Sequence, residues 1–505
     1  MQILEPTNSP SSKVVVFTPR WLPPDVQAQR FSHLLMPILG SLVAAGNQVT
    51  YLEEGHDGAP TTAWRDLLMA ADVVVVWAGE MYPALQIAGL FALLEVMPPA
   101  IPLVVGGGFF QLVETSALDM PARVDAVVHG PGEVVVPALV SALRGGKGIE
   151  GVAGITYRSA GLVVTTAAPK RGAFDPRWNE VLLQMDLARY RGAEPATFDN
   201  HEAALQVHTG SGCAKHCAFC FDEHTPYGVF PAAAVVDAIE ATMRRGGVQQ
   251  IALAELDFFV SKRRVLAIAR GLIERGLSLR WFALGSISDL SDFDDDALRT
   301  LAESGCHRIE VGTESGSDPM LERMRKRHRV ADVLPLVRRL RRFGIRTTHN
   351  LLFGVPGETR ADRRATLALA RAIRRADPHA HLHFRSYQII PRTSFGQEAM
   401  ASLPSFPRSL RDLAEYRVDV ATGARAMPWL TASDELWVRD LTNYVLPLAF
   451  HANAYAWPDA RSRWLAKGLR LAARVRSDFE LRRGLTLEKR LFGRVRARLA
   501  TTYVP

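Results

Sequence analysis

Two successive series of short, unbroken β-branched runs, each followed by a helical or loop segment, dictate the class of fold open to this chain of 505 residues. The first series is Val14–Thr18, Gln48–Leu52, Asp72–Trp77, Ile101–Val105 and Asp125–Val128. These runs are mostly apolar and lack a polar alternate, as in strands buried on both faces. Five such strands with crossovers predict an α/β domain over residues 1–150, doubly wound and Rossmann-like. Its ligand belongs at the carboxyl ends of the strands. The loops there are Pro19–Pro24, Gly79–Pro83, Gly106–Phe110 and Gly130–Glu133.

A hairpin (Gly154–Arg158, Leu162–Thr166) and a polar, proline-bearing connector fill residues 151–200. The second series then runs Ala204–Thr209, Gln249–Ala254, Leu279–Leu284, Arg308–Gly312, Arg346–Phe353 and His383–Ile390. Between these runs apolar residues recur at helical spacing, as in Ala232–Arg244 and Val330–Phe343. Six strand–helix repeats over residues 201–400 predict a partial (β/α)6 barrel of the TIM kind, with its chemistry at the C-terminal ends of the strands. Residues 401–505 read as a helical C-terminal region with a basic tail.

With 48% hydrophobic and 22% charged residues, and 38 glycines and 30 prolines spread along its length, the chain is neither disordered, collagen-like nor a coiled coil. No apolar stretch reaches the ~20 residues of a membrane span, and no secretory signal is read at the start. The expected setting is the reducing cytoplasm. The net charge of +8 is concentrated at one end: thirteen Lys/Arg against three acidic residues lie between Arg461 and Pro505, leaving the rest close to neutral. A helix with Leu465, Leu469, Ala472, Val475 and Phe479 packed on the barrel and arginines in solvent accounts for the tail. Contact with an anionic partner or a membrane surface is the alternative reading. Nucleic acid is not expected as a partner.

Three of the four cysteines fall in one loop after the first barrel strand, Thr209-Gly-Ser-Gly-Cys213-Ala-Lys-His-Cys217-Ala-Phe-Cys220. A C-x3-C-x2-C loop can wrap a cuboidal iron–sulfur cluster so that three irons take thiolates and the fourth stays open. Soft thiolates suit that chemistry, and Gly210 and Gly212 allow close backbone approach. A Cys3His zinc site completed by His224 is a competing reading, and three unrelated core cysteines a second. Cys306 reads as buried packing.

With Phe219 before its last cysteine, this loop resembles that of the radical S-adenosylmethionine (SAM) enzymes. The resemblance implies that Cys213, Cys217 and Cys220 hold a 4Fe–4S cluster that binds SAM at its open iron. It also implies SAM contacts from Phe219, from Glu255 and Asp257 after strand two, and from Ser286 after strand three, where relatives often carry an arginine near Gly285. Glu314 and Ser315 in Gly312-Thr-Glu-Ser-Gly-Ser-Asp318, and Asn350 and Gly354 on strand five, complete the set.

The resemblance extends upstream. The first domain looks like the cobalamin-binding domain of class B members, with Gly106, Gly107 and Gly108 after strand four and Gly130, Gly132 and Glu133 after strand five as cobalamin contacts. Thr18-Pro-Arg-Trp-Leu-Pro-Pro24 stands where other cobalamin domains offer an Asp-x-His-x-x-Gly histidine, so no lower axial histidine is expected.

The implied activity is a cobalamin-dependent radical SAM methyltransferase. A radical derived from SAM takes hydrogen from an unactivated carbon of a small-molecule substrate, and methylcobalamin delivers the methyl group. A flavodoxin or ferredoxin would supply electrons, and Tyr387 and Gln388 after strand six would touch substrate. A radical cyclase or ring-rearranging enzyme shares all these motifs, and a non-catalytic cluster- or cobalamin-sensing module is a rival from another class.

Overall fold

The structure is a computed structural model that describes residues 1–20, 35–78, 83–108, 110, 124–146, 148–170, 174–190, 192–193, 203–224, 227–390, 393–402, 427–451, 460–479 and 489–490. Two sheets organise it. The first contains β1 (Gln2–Leu4), β2 (Ser12–Thr18), β3 (Asn47–Glu53), β4 (Val73–Trp77), β5 (Leu103–Gly106), β6 (Ala126–Val128), β7 (Ile155–Ser159) and β8 (Leu162–Thr165), in the order β1-β3-β2-β4-β5-β6-β7-β8. Strands β3-β2-β4-β5-β6 are parallel. Valines 73 to 76 are fully buried, as strands sandwiched between helices require. The chain winds outward from β2 in both directions, so the topological switch point lies between the ends of β2 and β4, at Thr18 and Trp77.

The hairpin expected in the connector belongs to this sheet: β7 pairs antiparallel with β6. The domain boundary at residue 150 therefore moves to about 166. The connector beyond it is also less polar in effect than in composition. Phe174 and Trp178 pack edge-to-face on each other and on Phe230 of the second unit, at centroid separations of 5.1 to 6.0 Å. A Cβ on Gly40 would stand 2.5 Å from Trp178. This aromatic wedge joins the cores of the two sheets into one.

The second sheet contains β9 (Gly192–Ala193), β10 (Ala203–His208), β13 (Gln250–Ala254), β14 (Arg280–Gly285), β15 (Cys306–Glu314), β16 (Arg346–Phe353) and β17 (His381–Ser386). Between β10 and β13 lies the small β11 (Gly210–Ser211)–β12 (Gly228–Val229) pair. The six long strands are parallel and sequential, an open barrel arc, with β9 antiparallel at the edge. Leu205, Val207, Ile251, Trp281, Ile309 and Phe353 point outward into the helix layer. Because strand side chains alternate, Gln206, His208, Phe282, Glu310, Asn350 and His383 face the inside.

Strand β17 starts and ends earlier than the run His383–Ile390 predicted, so Tyr387 and Gln388 lie beyond it. In the C-terminal region, Ala432–Asp440, a π-helical turn at Leu441–Val445 and Leu446–His451 run consecutively. The helix Ala460–Phe479 follows. Its buried stripe passes through Leu469 and Ala473, and Val475, expected to pack, is 38% exposed. No helix among the described residues is long and apolar enough to cross a membrane.

Candidate active site

The cysteine loop leaves β10 at the C-terminal mouth of the barrel and is pinned on several sides. Phe395 N–H donates to the Ala218 carbonyl (2.8 Å) and Ala218 N–H to the Met324 carbonyl (3.2 Å). At its far end Glu223, 1% exposed, accepts from Ser394 N–H and from Arg325. Cys220 N–H closes a turn onto the Cys217 carbonyl (3.0 Å). The loop is thus fixed by partners far away in sequence, which pre-positions its three half-buried thiols. Gly212 sits in the left-handed region at φ 69°. A Cβ on Gly210 would meet the Glu255 carboxylate and the Gly228 carbonyl at 2.9 Å, so that glycine serves the strand pair and not a cluster.

Burial pushes the Cys217 thiol up; Lys326 and Lys215 pull it down, while Glu314 and Asp257 push it further up. Three soft thiols on one pinned loop are the donors an iron–sulfur cluster takes, so the donor set fits that group. Among the described residues no three His, Cys, Asp or Glu side chains are gathered closely enough to hold one ion. The side chain of His224, the fourth ligand of the competing zinc reading, lies outside the described residues. Cys306, on β15, is 4% exposed, and burial pushes its thiol well up, as a packing residue should show.

Around this loop the strand ends contribute two charged groups. On β15 the register with β16 is irregular between Gly312 and Glu314, and Glu314 has φ +59°, a strained conformation that re-aims its carboxylate. Lys326 donates to it, and the same ammonium lies 5.9 Å from the centroid of the Phe219 ring. Burial raises the Glu314 carboxyl and Lys326 opposes the rise. The second group is Asp257, Asp289 and Lys215. Lys215 Nζ is 2.6 Å from Asp289 and 4.0 Å from Asp257, and Ser286 N–H donates to Asp257 (3.2 Å). Burial and then the Asp289 charge push the Asp257 carboxyl up to about 7.

The structure separates the expected SAM residues. Glu255 is saturated internally by Thr209 Oγ1 (2.9 Å), Tyr227 OH (2.9 Å) and Arg264 (3.1 Å), whose other nitrogens hold the Thr209 and Phe230 carbonyls. It is a structural hub, whereas Asp257 fits the binding of a cation. Ser286 caps the helix Ile287–Ser291. Ser315, 1% exposed, is tied to Thr366 and Ser317 and faces the helix layer, a correction to its expected role.

Gly354, at φ +76°, is roofed by the C-terminal region: a Cβ there would stand 2.5 Å from Met427 Sδ, and its carbonyl accepts from Trp429 Nε1. It too is corrected, to a packing position. Asn350 points into the barrel, where its Nδ2 donates to Glu310 (2.8 Å) and its Oδ1 lies 3.3 Å from His383 Nδ1. Burial works against the Glu310 charge, but His383 and Asn350 hold its carboxyl below the usual range.

The expected substrate residues are corrected as well. Tyr387 is 2% exposed and packs against Phe395 and Trp429 beneath the cysteine loop, while Gln388 lies on the surface. With β17 ending at Ser386, alternation no longer aims Tyr387 inward. Sequence reasoning missed Asp289, whose signal was Ser286-x-x-Asp289 at a helix start. It also missed the inward trio Glu310, Asn350 and His383, readable from strand parity once register is known.

In the first domain the glycines expected to approach cobalamin meet protein instead. Cβ atoms on Gly106 and Gly132 would lie 2.3 and 2.6 Å from the Trp77 ring, and Gly107, at φ +97°, would put one 2.1 Å from the Ala78 carbonyl oxygen. Gly130 abuts Val135 and Pro169. These glycines make room for an indole at the switch point. Trp77 itself is only partly buried and stands at the switch point, where open α/β sheets take their ligands. Gly108 is buried, and Glu133 is 7% exposed in the first turn of the helix Gly132–Arg144. Most of the loops Pro19–Pro24 and Gly79–Pro83 lies outside the described residues.

Comparisons agree with this geometry. A family model described as the radical SAM superfamily matches residues 207–370. A protein of Pyrococcus horikoshii described as an uncharacterized methyltransferase is 26% identical over 280 residues, 54% of this chain and 58% of that protein. An anaerobic magnesium-protoporphyrin IX monomethyl ester cyclase of Cereibacter sphaeroides is 25% identical over 288 residues, 55% of this chain and 45% of the cyclase. The chain spans about half the length of these curated relatives. The solved structure of TsrM, a radical S-adenosylmethionine methyltransferase from Kitasatospora setae with cobalamin and a 4Fe–4S cluster bound, shares the fold. The TM-score is 0.62 at 19% identity, over 92% of this chain and 99% of that one.

Proposed function

We propose, from the radical SAM superfamily match over residues 207–370 and the fold shared with a cobalamin-bound structure, that this chain is a radical SAM enzyme and a cobalamin-dependent C-methyltransferase. Its substrate is a small molecule methylated at an unactivated carbon. The observation that carries this reading is the three-thiol loop clamped over the barrel mouth beside Lys326–Glu314 and Lys215–Asp257.

Cys213, Cys217 and Cys220 would hold a 4Fe–4S cluster, Asp257 the ammonium of SAM, and the crevice at Trp77 cobalamin. Bound there, these groups supply one-electron and one-carbon chemistry that no side chain can. The protein's own task is placement. Lys326 and Lys215 tie the loop region to Glu314 and Asp289, the hydrophobic layer of Ala218, Met324, Tyr387 and Phe395 keeps water from beneath the loop, and Glu310, Asn350 and His383 offer polar contacts to a substrate inside the barrel. Electrons would come from a flavodoxin or ferredoxin in the cytoplasm.

The relative that is a cyclase favours a second reading, radical ring closure without methyl transfer. Anaerobic reconstitution with iron, sulfide and cobalamin tests the proposal: about four irons and about one cobalt per chain are expected. Iron should fall in the Cys213→Ala, Cys217→Ala and Cys220→Ala proteins and be unchanged in Cys306→Ala. Zinc in place of iron overturns the cluster, and a product without the mass of an added CH2 selects the cyclase reading.

A further inference from the structure

Lys215 stands between two of the cysteines, and its side chain leaves the loop. It reaches across the barrel mouth to Asp289, in the helix that follows β14, and comes within 4.0 Å of Asp257, after β13. All three groups are shielded from solvent: Asp257 is 3% exposed, and the Lys215 and Asp289 side chains are 13% and 18% exposed. Asp289 Oδ2 is buried, and among the described residues no donor reaches it; the Asp257 carboxyl is its neighbour.

The neighbouring Lys326–Glu314 pair is balanced, one cation to one anion. Here two carboxylates share one ammonium, and Ser286 N–H adds only a dipole to Asp257. A shielded pair of carboxyl groups with one ammonium is stabilised by whatever brings the missing positive charge, a proton on Asp257 or a cationic ligand. Lys215 prefers Asp289, at 2.6 Å, and leaves Asp257 the less satisfied partner.

We propose that Lys215 is a positioning residue for SAM: held by Asp289, it ties the cysteine loop to the strand-three end and keeps Asp257 vacant for the ligand's α-ammonium, which completes a set of two cations and two carboxylates. The inference rests on the reading of the loop as a cluster and SAM site. It predicts a competition. Without the Asp289 carboxylate, the Lys215 ammonium turns to Asp257 and opposes the incoming ammonium.

The experiment measures SAM affinity on anaerobically reconstituted full-length protein, from the perturbation of the cluster's EPR and absorption spectra as SAM is added, with iron content determined for each variant. Asp289→Asn should weaken SAM binding about tenfold or more. Adding Lys215→Met to it should recover part of the lost affinity, at least about threefold, because the competitor is gone although the tie to the loop is not restored. Lys215→Arg, which keeps the charge, should bind nearly as the parent does. A purely structural role for the pair predicts instead that the double variant is no better than Asp289→Asn.

Parent-like affinity in Asp289→Asn, or no recovery in the double variant, overturns the inference. If Asp289→Asn fails to accumulate, Asp289→Ser carries the same prediction. A parent protein that assembles no cluster, or whose cluster does not respond to SAM, overturns the functional reading itself and this inference with it.

Discussion

Lys326 donates to the Glu314 carboxylate at 3.2 Å, and both side chains are about nine-tenths shielded from solvent. The pair joins the end of β15 to the segment after the helix Asp318–Arg323, directly behind Phe219 of the cysteine loop. Removing one partner leaves a buried charge uncompensated. Lys326→Met should therefore cost about 3 kcal/mol of stability in urea unfolding of the metal-free protein. Combining it with Glu314→Gln should restore most of the loss, because the stranded carboxylate is gone.

Glu255 and Asp257 are two residues apart and should behave oppositely. Glu255→Gln keeps the bond from Thr209 on its remaining oxygen and can donate its amide N–H to the Tyr227 hydroxyl, so it should change SAM affinity less than about threefold, while Asp257→Asn should weaken it about tenfold or more. Arg264→Leu strips Glu255 of its cation and two carbonyls of their donor. It should lower the thermal midpoint clearly while the other two substitutions do not. Equal SAM affinity for the Gln and Asn proteins would contradict the assignment.

At the switch point of the first sheet, Gly106→Ala forces a methyl group into the Trp77 ring. Overpacking of this kind costs about 2 kcal/mol. Trp77→Phe removes the colliding ring atoms, so the double variant should be more stable than Gly106→Ala alone. Chemical denaturation of the four proteins of this cycle measures the coupling.

Burial raises the Glu358 carboxyl from its ordinary value of 4.5 to about 7, against the pull of the Gly354 N–H and Arg363. Between those pH values the folded chain binds more protons than the unfolded one. The contribution of this group is therefore fully present below pH 4.5 and is lost as pH rises through about 7, with a span of about 3 kcal/mol. Glu358→Gln should remove that slope. The stability difference between parent and variant, followed by denaturant titration from pH 4.5 to 8, reads it directly, and a flat difference would refute the shift.

Much of this architecture was legible from local pattern. Unbroken valine runs such as Val73–Val76 announce strands covered on both faces, and apolar residues at helical spacing, as in Val330–Arg342, announce the helices between them. The cysteine loop could be assigned to the end of the first barrel strand because strand and motif are contiguous. Burial period and contiguity are properties of a short stretch of chain, and a short stretch carries them intact.

Distant partners escaped that reading. Lys215 and Asp289 are 74 residues apart, and only the order of β10, β13 and β14 in the sheet brings their charges together. The contrast between the internally bonded Glu255 and Asp257 depends on where Arg264 reaches, the burial of Tyr387 on where β17 stops, and the packing of Gly106 on the indole across from it. Each is decided by which atoms occupy the space beside a residue. That occupancy arises when the whole chain packs, so no window of the sequence contains it.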